Sequence, residues 1–291
     1  MSRVAYVNGR YLPHHLAAVH VEDRGYQFAD GVYEVIAVRR GALVDAAAHL
    51  DRLEYSLTEL RIAMGRSRRA IEVVINETVR RNRVREGIVY IQMTRGVARR
   101  DHGFPAVPRT ALVVMARSQR PPSRQVVEDG IKVITTPDIR WQRSDIKSVS
   151  LLPNVLVKQL ARDAGAQEGW MVRPDDSVSE GSSTNAWIVD ADGKLVTRNL
   201  GNAILSGITR RAILALAERE QVEIVERPFT VAEAKAAREA FMTSTTAYVS
   251  PVVQIDDSVI TNGKPGHLTS LLVELYDSYT LAPDRKSAPS R

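Results

Sequence analysis

Apolar residues recur at steps of three and four along two stretches in the first third of the chain, and each stretch predicts an amphipathic helix. Leu50, Leu53, Leu57 and Leu60 form one stripe. Around residues 67–82, Ile71, Val74, Ile75 and Val79 face inward while Arg68, Arg69, Arg80 and Arg81 are left to solvent. Short runs rich in Val, Ile or Tyr and bounded by Gly or Pro read as strands at 3–8, 88–94 and 111–116. A polar break with Pro121-Pro122 then suits an interdomain linker over 119–130. Beyond it the pattern predicts a strand at 131–136, a helix at 154–164, a strand at 170–173 and a hairpin over 185–196 turning at Asp192-Gly193. A helix after Thr209, strands at 222–225, 240–243 and 252–255, and a last helix over 268–279 follow. Strands and helices mix without strict alternation and no internal repeat is present. The class is therefore α+β (mixed α/β), with domains at 1–118 and 131–281 and a disordered Pro-, Ser- and Arg-rich tail at 282–291.

Composition narrows the function classes only a little. At 291 residues the chain can bury a substantial core. Cysteine is absent, which excludes disulfides, zinc fingers and iron–sulfur clusters, and no metal is expected. No apolar run approaches the ~20 residues of a membrane span, and the N-terminus lacks an apolar signal core, so a cytoplasmic protein is expected. The net charge of +6 admits an anionic partner. A basic nucleic-acid-binding protein is the reading from another class, but no aromatic platform interleaves the arginines, and no nucleic-acid partner is expected.

The candidate chemistry centres on Lys147, which lies between Ile146 and the run Ser148, Val149, Ser150 where a strand region gives way to a helix. Taking an ammonium out of water favours the neutral amine, the form that attacks carbonyls. Three small-residue segments in the second half read as anion cradles: Glu180-Gly181-Ser182-Ser183-Thr184-Asn185, Leu205-Ser206-Gly207-Ile208-Thr209 and Thr243-Ser244-Thr245-Thr246. Each alone is also an ordinary cap or turn. Neither G-x-x-x-x-G-K-[ST] nor G-x-G-x-x-G occurs, so a nucleotide is not the best reading of the phosphate they would hold. Glu180 beside such a cradle can pair with a protonated pyridine nitrogen.

The segments D-R-G-Y-Q-F-A-D-G-V-Y-E-V (23–35), H-L-D-R-L (49–53), T-R-G-V-A-R-R-D-H-G-F-P (94–105), D-I-R-W-Q-R-S-D-I-K-S (138–148), V-S-E-G-S-S-T-N (178–185), L-S-G-I-T-R (205–210) and T-S-T-T (243–246) resemble the class IV pyridoxal-phosphate aminotransferases, most closely the branch acting on D-amino acids. The resemblance runs in order from Val4 to about Leu275. It implies the type IV fold, a homodimer, and pyridoxal 5'-phosphate in a cleft between a small N-terminal and a larger C-terminal domain. It also implies that Lys147 is the Schiff-base lysine and Glu180 the acid at the pyridine nitrogen. Arg52, Ile208, Thr209 and Thr245 match phosphate-holding positions, Ser182 and Ser183 line the cofactor, and Leu205 packs on the ring. Tyr33, Arg100 and His102 match the trap for the substrate carboxylate, with Arg100 and His102 reaching in from the partner subunit. Two donors at an R-x-H spacing can converge on one carboxylate.

The implied activity is a ping-pong transfer of the amino group of a D-amino acid to a 2-oxo acid. Branched-chain L-amino-acid members carry arginines where this chain has Ala37 and Gln92, which argues for D-substrates. An (R)-amine aminotransferase, a branched-chain L-amino-acid aminotransferase and an aminodeoxychorismate lyase are the alternatives on the same scaffold.

Overall fold

The computed structural model describes residues 3–282, so the expected tail from residue 283 onward lies outside the described residues. These form two compact units. One runs to Arg120 and also takes in Ile146–Ser150; the other comprises Pro121–Asp145 and the chain from Leu151.

The first unit holds strands β1 (Val4–Val7), β2 (Arg10–Pro13), β3 (Gly31–Arg39), β4 (Ala42–Leu43), β5 (Gly87–Thr94) and β6 (Ala111–Ser118), with helices α1 (Arg24–Phe28), α2 (Ala46–Glu59) and α3 (Arg68–Arg81). The strands form one antiparallel sheet in the order β2-β1-β6-β5-β3-β4. The two expected stripes are the faces that α2 and α3 bury: Leu50, Leu53 and Leu57 join Ile71, Val74, Ile75 and Val79 in one core with Val32, Ile36, Val38, Val89 and Ile91. Ser67 caps α3 by accepting from the Ala70 N–H, and Arg80 and Arg81 stand in its last turn, where cations suit the helix dipole. The nine-residue strand β3, between β5 and the short edge strand β4, has no counterpart among the expected strands.

The second unit holds α4 (Arg124–Asp129), β7 (Ile131–Pro137), α5 (Leu152–Asp163), β8 (Glu168–Val172), β9 (Val178–Gly181), β10 (Asn185–Val189), β11 (Leu195–Thr197), α6 (Ile208–Arg219), β12 (Ile224–Glu226), α7 (Val231–Ala236), β13 (Glu239–Ser244), β14 (Tyr248–Ile255), β15 (Ser258–Val259) and α8 (His267–Leu281). Its sheet is mixed, in the order β12-β11-β10-β13-β14-β7-β8-β9 with β15 on β14. The pairs β14–β7, β7–β8 and β11–β12 are parallel and the rest antiparallel. The expected hairpin forms between β10 and β11, with Gly193 at φ 85° in its turn. Trp170 and Phe229 anchor one core of this unit, and Trp187 and Phe241 with α6 and α8 anchor another.

Two expectations change. Residues 119–130 are not a bare linker: Ser123 accepts from the Val126 N–H to start α4, and Gly130 ends it at φ 72°. The Lys147 segment, expected inside 131–281, belongs to the first unit, because its backbone pairs with β3. Among the described residues, no helix is long and apolar enough to cross a membrane.

Candidate functional site

In β3 successive side chains leave opposite faces of the sheet. Val32, Glu34, Ile36 and Val38 are all fully buried, and the three apolar ones join the core under α2 and α3. Glu34 is thus a carboxylate placed in an apolar layer, and α2 supplies its partners. His49 Nδ1 lies 2.7 Å from Glu34 Oε2, Arg52 Nε donates to Oε1 at 2.7 Å, and Arg52 Nη2 donates to Oε2 at 2.9 Å. The Arg52 guanidinium and His49 hold the Glu34 carboxyl well below the usual range despite burial, while burial pushes His49 down. Arg52, expected at a phosphate, is therefore fixed from behind by a buried, bidentate charge-assisted pair.

Tyr33 leaves β3 on the other face. Its ring stacks on Tyr90 with centroids 5.7 Å apart, and its cross-strand neighbour in β5 is Gln92, which accepts from the Tyr90 hydroxyl at 2.7 Å. Burial pushes the Tyr90 phenol up to about 12. Lys147 arrives at this cluster through the backbone. The Tyr33 N–H donates to the Lys147 carbonyl at 3.0 Å, the Val149 N–H to the Gly31 carbonyl at 3.0 Å, and the Lys147 N–H to Ser56 Oγ on α2 at 3.2 Å. The half-buried lysine then carries its Nζ to 4.2 Å from the centre of the Tyr33 ring.

Arg100 and His102 stand exposed on the loop after β5. The Arg100 guanidinium lies 4.7 Å from the centre of the Phe28 ring, and the His102 ring lies 5.3 Å from the same ring. The loop leaves β5 through Gly96 at φ 89°, where a Cβ would meet the Arg109 carbonyl oxygen at 1.9 Å, so only glycine fits.

In the second unit Glu180 lies on β9 and is buried. Arg140 Nη1 donates to its Oε1 at 2.5 Å, the Asn185 amide to its Oε2 at 2.9 Å, and the Leu205 N–H to both oxygens. Arg140 is itself held by Asp138 through Nε and Nη2 at 3.0 and 2.8 Å, and donates to the Ala203 carbonyl. Burial pushes the Glu180 carboxyl up; the Arg140 guanidinium and the Leu205 N–H pull the other way, favouring its ionised form. An acid built this way is a buried acceptor with a fixed orientation, suited to a cationic N–H.

Ser182 and Ser183 sit in the turn between β9 and β10. Both hydroxyls reach Glu168, a fully buried carboxylate that also accepts from the Ser182 N–H at 3.2 Å and from Thr184 Oγ1 at 3.4 Å. Ile208 and Thr209 form the first turn of α6, whose capping residue Gly207 supplies no side-chain cap, leaving first-turn N–H groups for an acceptor from outside the helix. A Cβ on Gly207 would meet Asn185 Oδ1 at 2.0 Å, so the bare backbone at this helix start is required by the same Asn185 that holds Glu180 and donates to the Leu205 carbonyl. Thr245 is half-buried in the turn from β13 to β14. Each unit by itself carries groups of the kind pyridoxal phosphate needs: the second a helix start and hydroxyls for an anion and a fixed acid for a ring nitrogen, the first an amine for an aldehyde.

Several functional residues are absent from the expected site: Glu34, His49, Tyr90, Asp138, Arg140, Glu168 and Asn185. Glu34, His49, Asp138, Arg140 and Asn185 lie inside the recognised segments, one to nine residues from an expected site residue. Glu168, in the plain stretch Gln167-Glu168-Gly169, carries no local signal.

Residues 31–255 match the family model described as amino-transferase class IV. The chain is 39% identical over 277 residues to the D-alanine aminotransferase of Staphylococcus haemolyticus, covering 94% of this chain and 96% of that one. It is 40% identical over 264 residues to the D-alanine aminotransferase of Bacillus licheniformis, covering 90% and 92%. Among solved structures, the branched-chain amino acid aminotransferase of Escherichia coli superposes with a TM-score of 0.91 at 22% identity, over 99% of this chain and 98% of that one, which shows a shared fold.

Proposed function

This chain belongs to the class IV aminotransferases, pyridoxal-phosphate-dependent enzymes of fold type IV, and from that premise we propose that it moves the amino group of D-amino acids, of the D-alanine and D-glutamate type, to 2-oxo acids by a ping-pong mechanism. The observation that carries this reading is 38–40% identity over at least 90% of the chain to relatives named D-alanine aminotransferase.

When bound, pyridoxal phosphate supplies a sink for the electron pair left at the substrate α-carbon. Lys147 is the amine that holds the cofactor aldehyde and, once free, the base that takes the α-proton onto Nζ and gives a proton back. Its seat on the Tyr33 ring gives that nitrogen one orientation. Glu180 holds the proton on the ring nitrogen, and Arg140, Asn185 and the Leu205 N–H keep its carboxylate aimed. Arg52, the first turn of α6 at Ile208 and Thr209, and Thr245 would hold the phosphate; Ser182 and Ser183 would line the cofactor, and Leu205 would pack against it. Tyr33, Arg100 and His102 bind the substrate carboxylate, and the stereochemistry follows from where they hold it. Ala37 and Gln92 leave no arginine at the positions that serve L-substrates in branched-chain members.

The reading includes a cytoplasmic homodimer. The homodimer is supported by α5, where Val157 and Ala161 are buried while Leu152, Val155, Leu156 and Leu160 stand exposed along the opposite face. An apolar stripe of that length suits a second copy of the chain.

The experiment is an assay of the protein loaded with pyridoxal phosphate. D-Alanine with 2-oxoglutarate is expected to yield pyruvate and to bleach the cofactor absorption, and L-leucine and (R)-amines to do neither. Turnover of L-leucine with silence toward D-alanine would overturn the assignment in favour of the branched-chain reading.

A further inference from the structure

The loop bearing Arg100 and His102 is exposed, yet the proposed role asks it to present two donors in one geometry. The structure contains a device for this. Arg24, at the start of α1, is buried, and its guanidinium spends its donors in three directions. Nε donates to Asp30 Oδ2 at 2.8 Å, Nη1 to the Asp101 carbonyl at 2.6 Å, and Nη2 lies 3.4 Å from the His102 carbonyl. The two carbonyls belong to the residues that follow Arg100 in the chain. Asp30 is shared: Arg95, at the root of the same loop, donates to it through Nε at 2.8 Å and Nη2 at 3.0 Å. Arg95 also donates to the carbonyls of Leu60 and Arg61, and its guanidinium lies 3.7 Å from the centre of the ring of Phe104, two residues past His102 in the same loop. Between the clamps, Phe28 takes the Arg24 guanidinium at 4.9 Å, the Arg100 guanidinium at 4.7 Å and the His102 ring at 5.3 Å.

We propose that Arg24 and Phe28 are positioning residues for substrate carboxylate recognition: Arg24 fixes the loop backbone through the carbonyls of Asp101 and His102, and Phe28 fixes the side chains of Arg100 and His102. This rests on the reading of Arg100 and His102 as the carboxylate trap. A planar guanidinium can reach Asp30 and two successive carbonyls at once, whereas a lysine ammonium, though cationic, is a single point donor on a flexible stem. The half-buried Asp30 carboxylate between the two arginines offsets their mutual repulsion, and both hold that carboxyl below its usual range. Because Arg24 and Phe28 lie in the same chain as the loop, the device travels with it, whichever subunit's substrate the loop serves.

The test uses the holoenzyme and its variants R24K, F28L and R100Q. KM and kcat for D-alanine, the inhibition constant of propionate (D-alanine without its amine) and the melting temperature are measured. R24K and F28L are expected to raise both KM and the propionate constant about tenfold, with kcat within about threefold and melting little changed. If R100Q raises both constants and neither R24K nor F28L does, the positioning role is overturned and the trap stands. If R24K and F28L lower kcat and melting temperature without touching the propionate constant, their role is structural and the proposal falls. If R100Q itself leaves both constants unchanged, the trap reading fails first, and the proposal with it. Should R24K not fold, F28L alone decides, since Phe28 is half-buried and makes no hydrogen bond through its ring.

Discussion

Tyr33 and Lys147 are joined twice: the Tyr33 N–H donates to the Lys147 carbonyl at 3.0 Å, and the Lys147 Nζ stands 4.2 Å from the centre of the Tyr33 ring. The first contact fixes the backbone of the lysine and the second its side chain. One strand edge therefore sets where the amine points. The proposed chemistry demands a fixed proton acceptor, and the extended pairing of Gly31–Tyr33 with Lys147–Val149 provides it without burying the lysine completely.

Replacing Lys147 by alanine removes that acceptor while leaving every backbone bond in place. We expect D-alanine turnover to fall about 10³-fold or more. Stability changes by no more than about 1 kcal/mol, because a cation–π contact that is not fully desolvated is worth about 0.5–1 kcal/mol. Parallel turnover assays and urea melts check both halves; full turnover in K147A would remove the lysine from the mechanism.

Glu180 and Arg140 are both nearly enclosed, at 7% side-chain exposure each. Truncating one member of a buried pair leaves the other uncompensated, which costs about 3–5 kcal/mol. R140A leaves Glu180 facing Asp138 without its counter-ion, so a loss of that size is expected in the denaturant midpoint. E180Q keeps the shape and leaves Arg140 its pair with Asp138, so it should cost less stability and more activity. Equal losses of stability in the two variants would show that the pair acts only as a structural tie.

Acid should weaken the first unit in two stages. His49 has a folded pKa pushed below its ordinary value by burial. Between that depressed value and about 6.5 the unfolded chain takes a proton that the folded one refuses, so stability falls as the pH drops below about 6.5. Glu34 is also depressed, by Arg52 and His49, and its contribution is complete above about 4.3 and lost as the pH falls further. Urea midpoints measured from pH 7 to pH 5 should decline, and H49Q should flatten that decline. A midpoint independent of pH over this range would mean that His49 binds a proton equally in both states.

The exposed stripe on α5 predicts the assembly. A carboxylate placed at Leu156 would be desolvated if a second copy covered it, and we expect L156D to shift the protein from dimer to monomer at micromolar concentration in sedimentation velocity. A dimer that survives L156D would put the interface elsewhere.

How much of this was legible in the chain differs from element to element. The stripes of α2 and α3 were, because a helix writes its buried face into spacings of three and four. The hairpin of β10 and β11 was, because Asp192-Gly193 marks a turn by local conformation alone. The helix inside 119–130 was not, since Pro121-Pro122 and the polar flanks outweigh the caps that Ser123 and Gly130 supply. Strand β3 escaped because it is buried on both faces over much of its length, so hydrophobic alternation is blurred, and because a glutamate stands in its middle. A buried Glu34 makes sense only when His49 and Arg52 are seen beside it, fifteen and eighteen residues away along the chain.

The sequence by itself determined the residue types at each candidate position, the caps and turns that present them, and, through recognisable segments, the class of enzyme. These are properties of short stretches, where spacing and local chemistry suffice. Tertiary structure alone decided that the lysine's segment pairs with β3, that Arg140 backs Glu180, that Glu168 gathers the hydroxyls of Ser182, Ser183 and Thr184, and that Arg24 grips the carbonyls of Asp101 and His102. Each of these joins groups far apart in the chain, and such contacts are fixed by the burial of shared polar atoms, which no local pattern records.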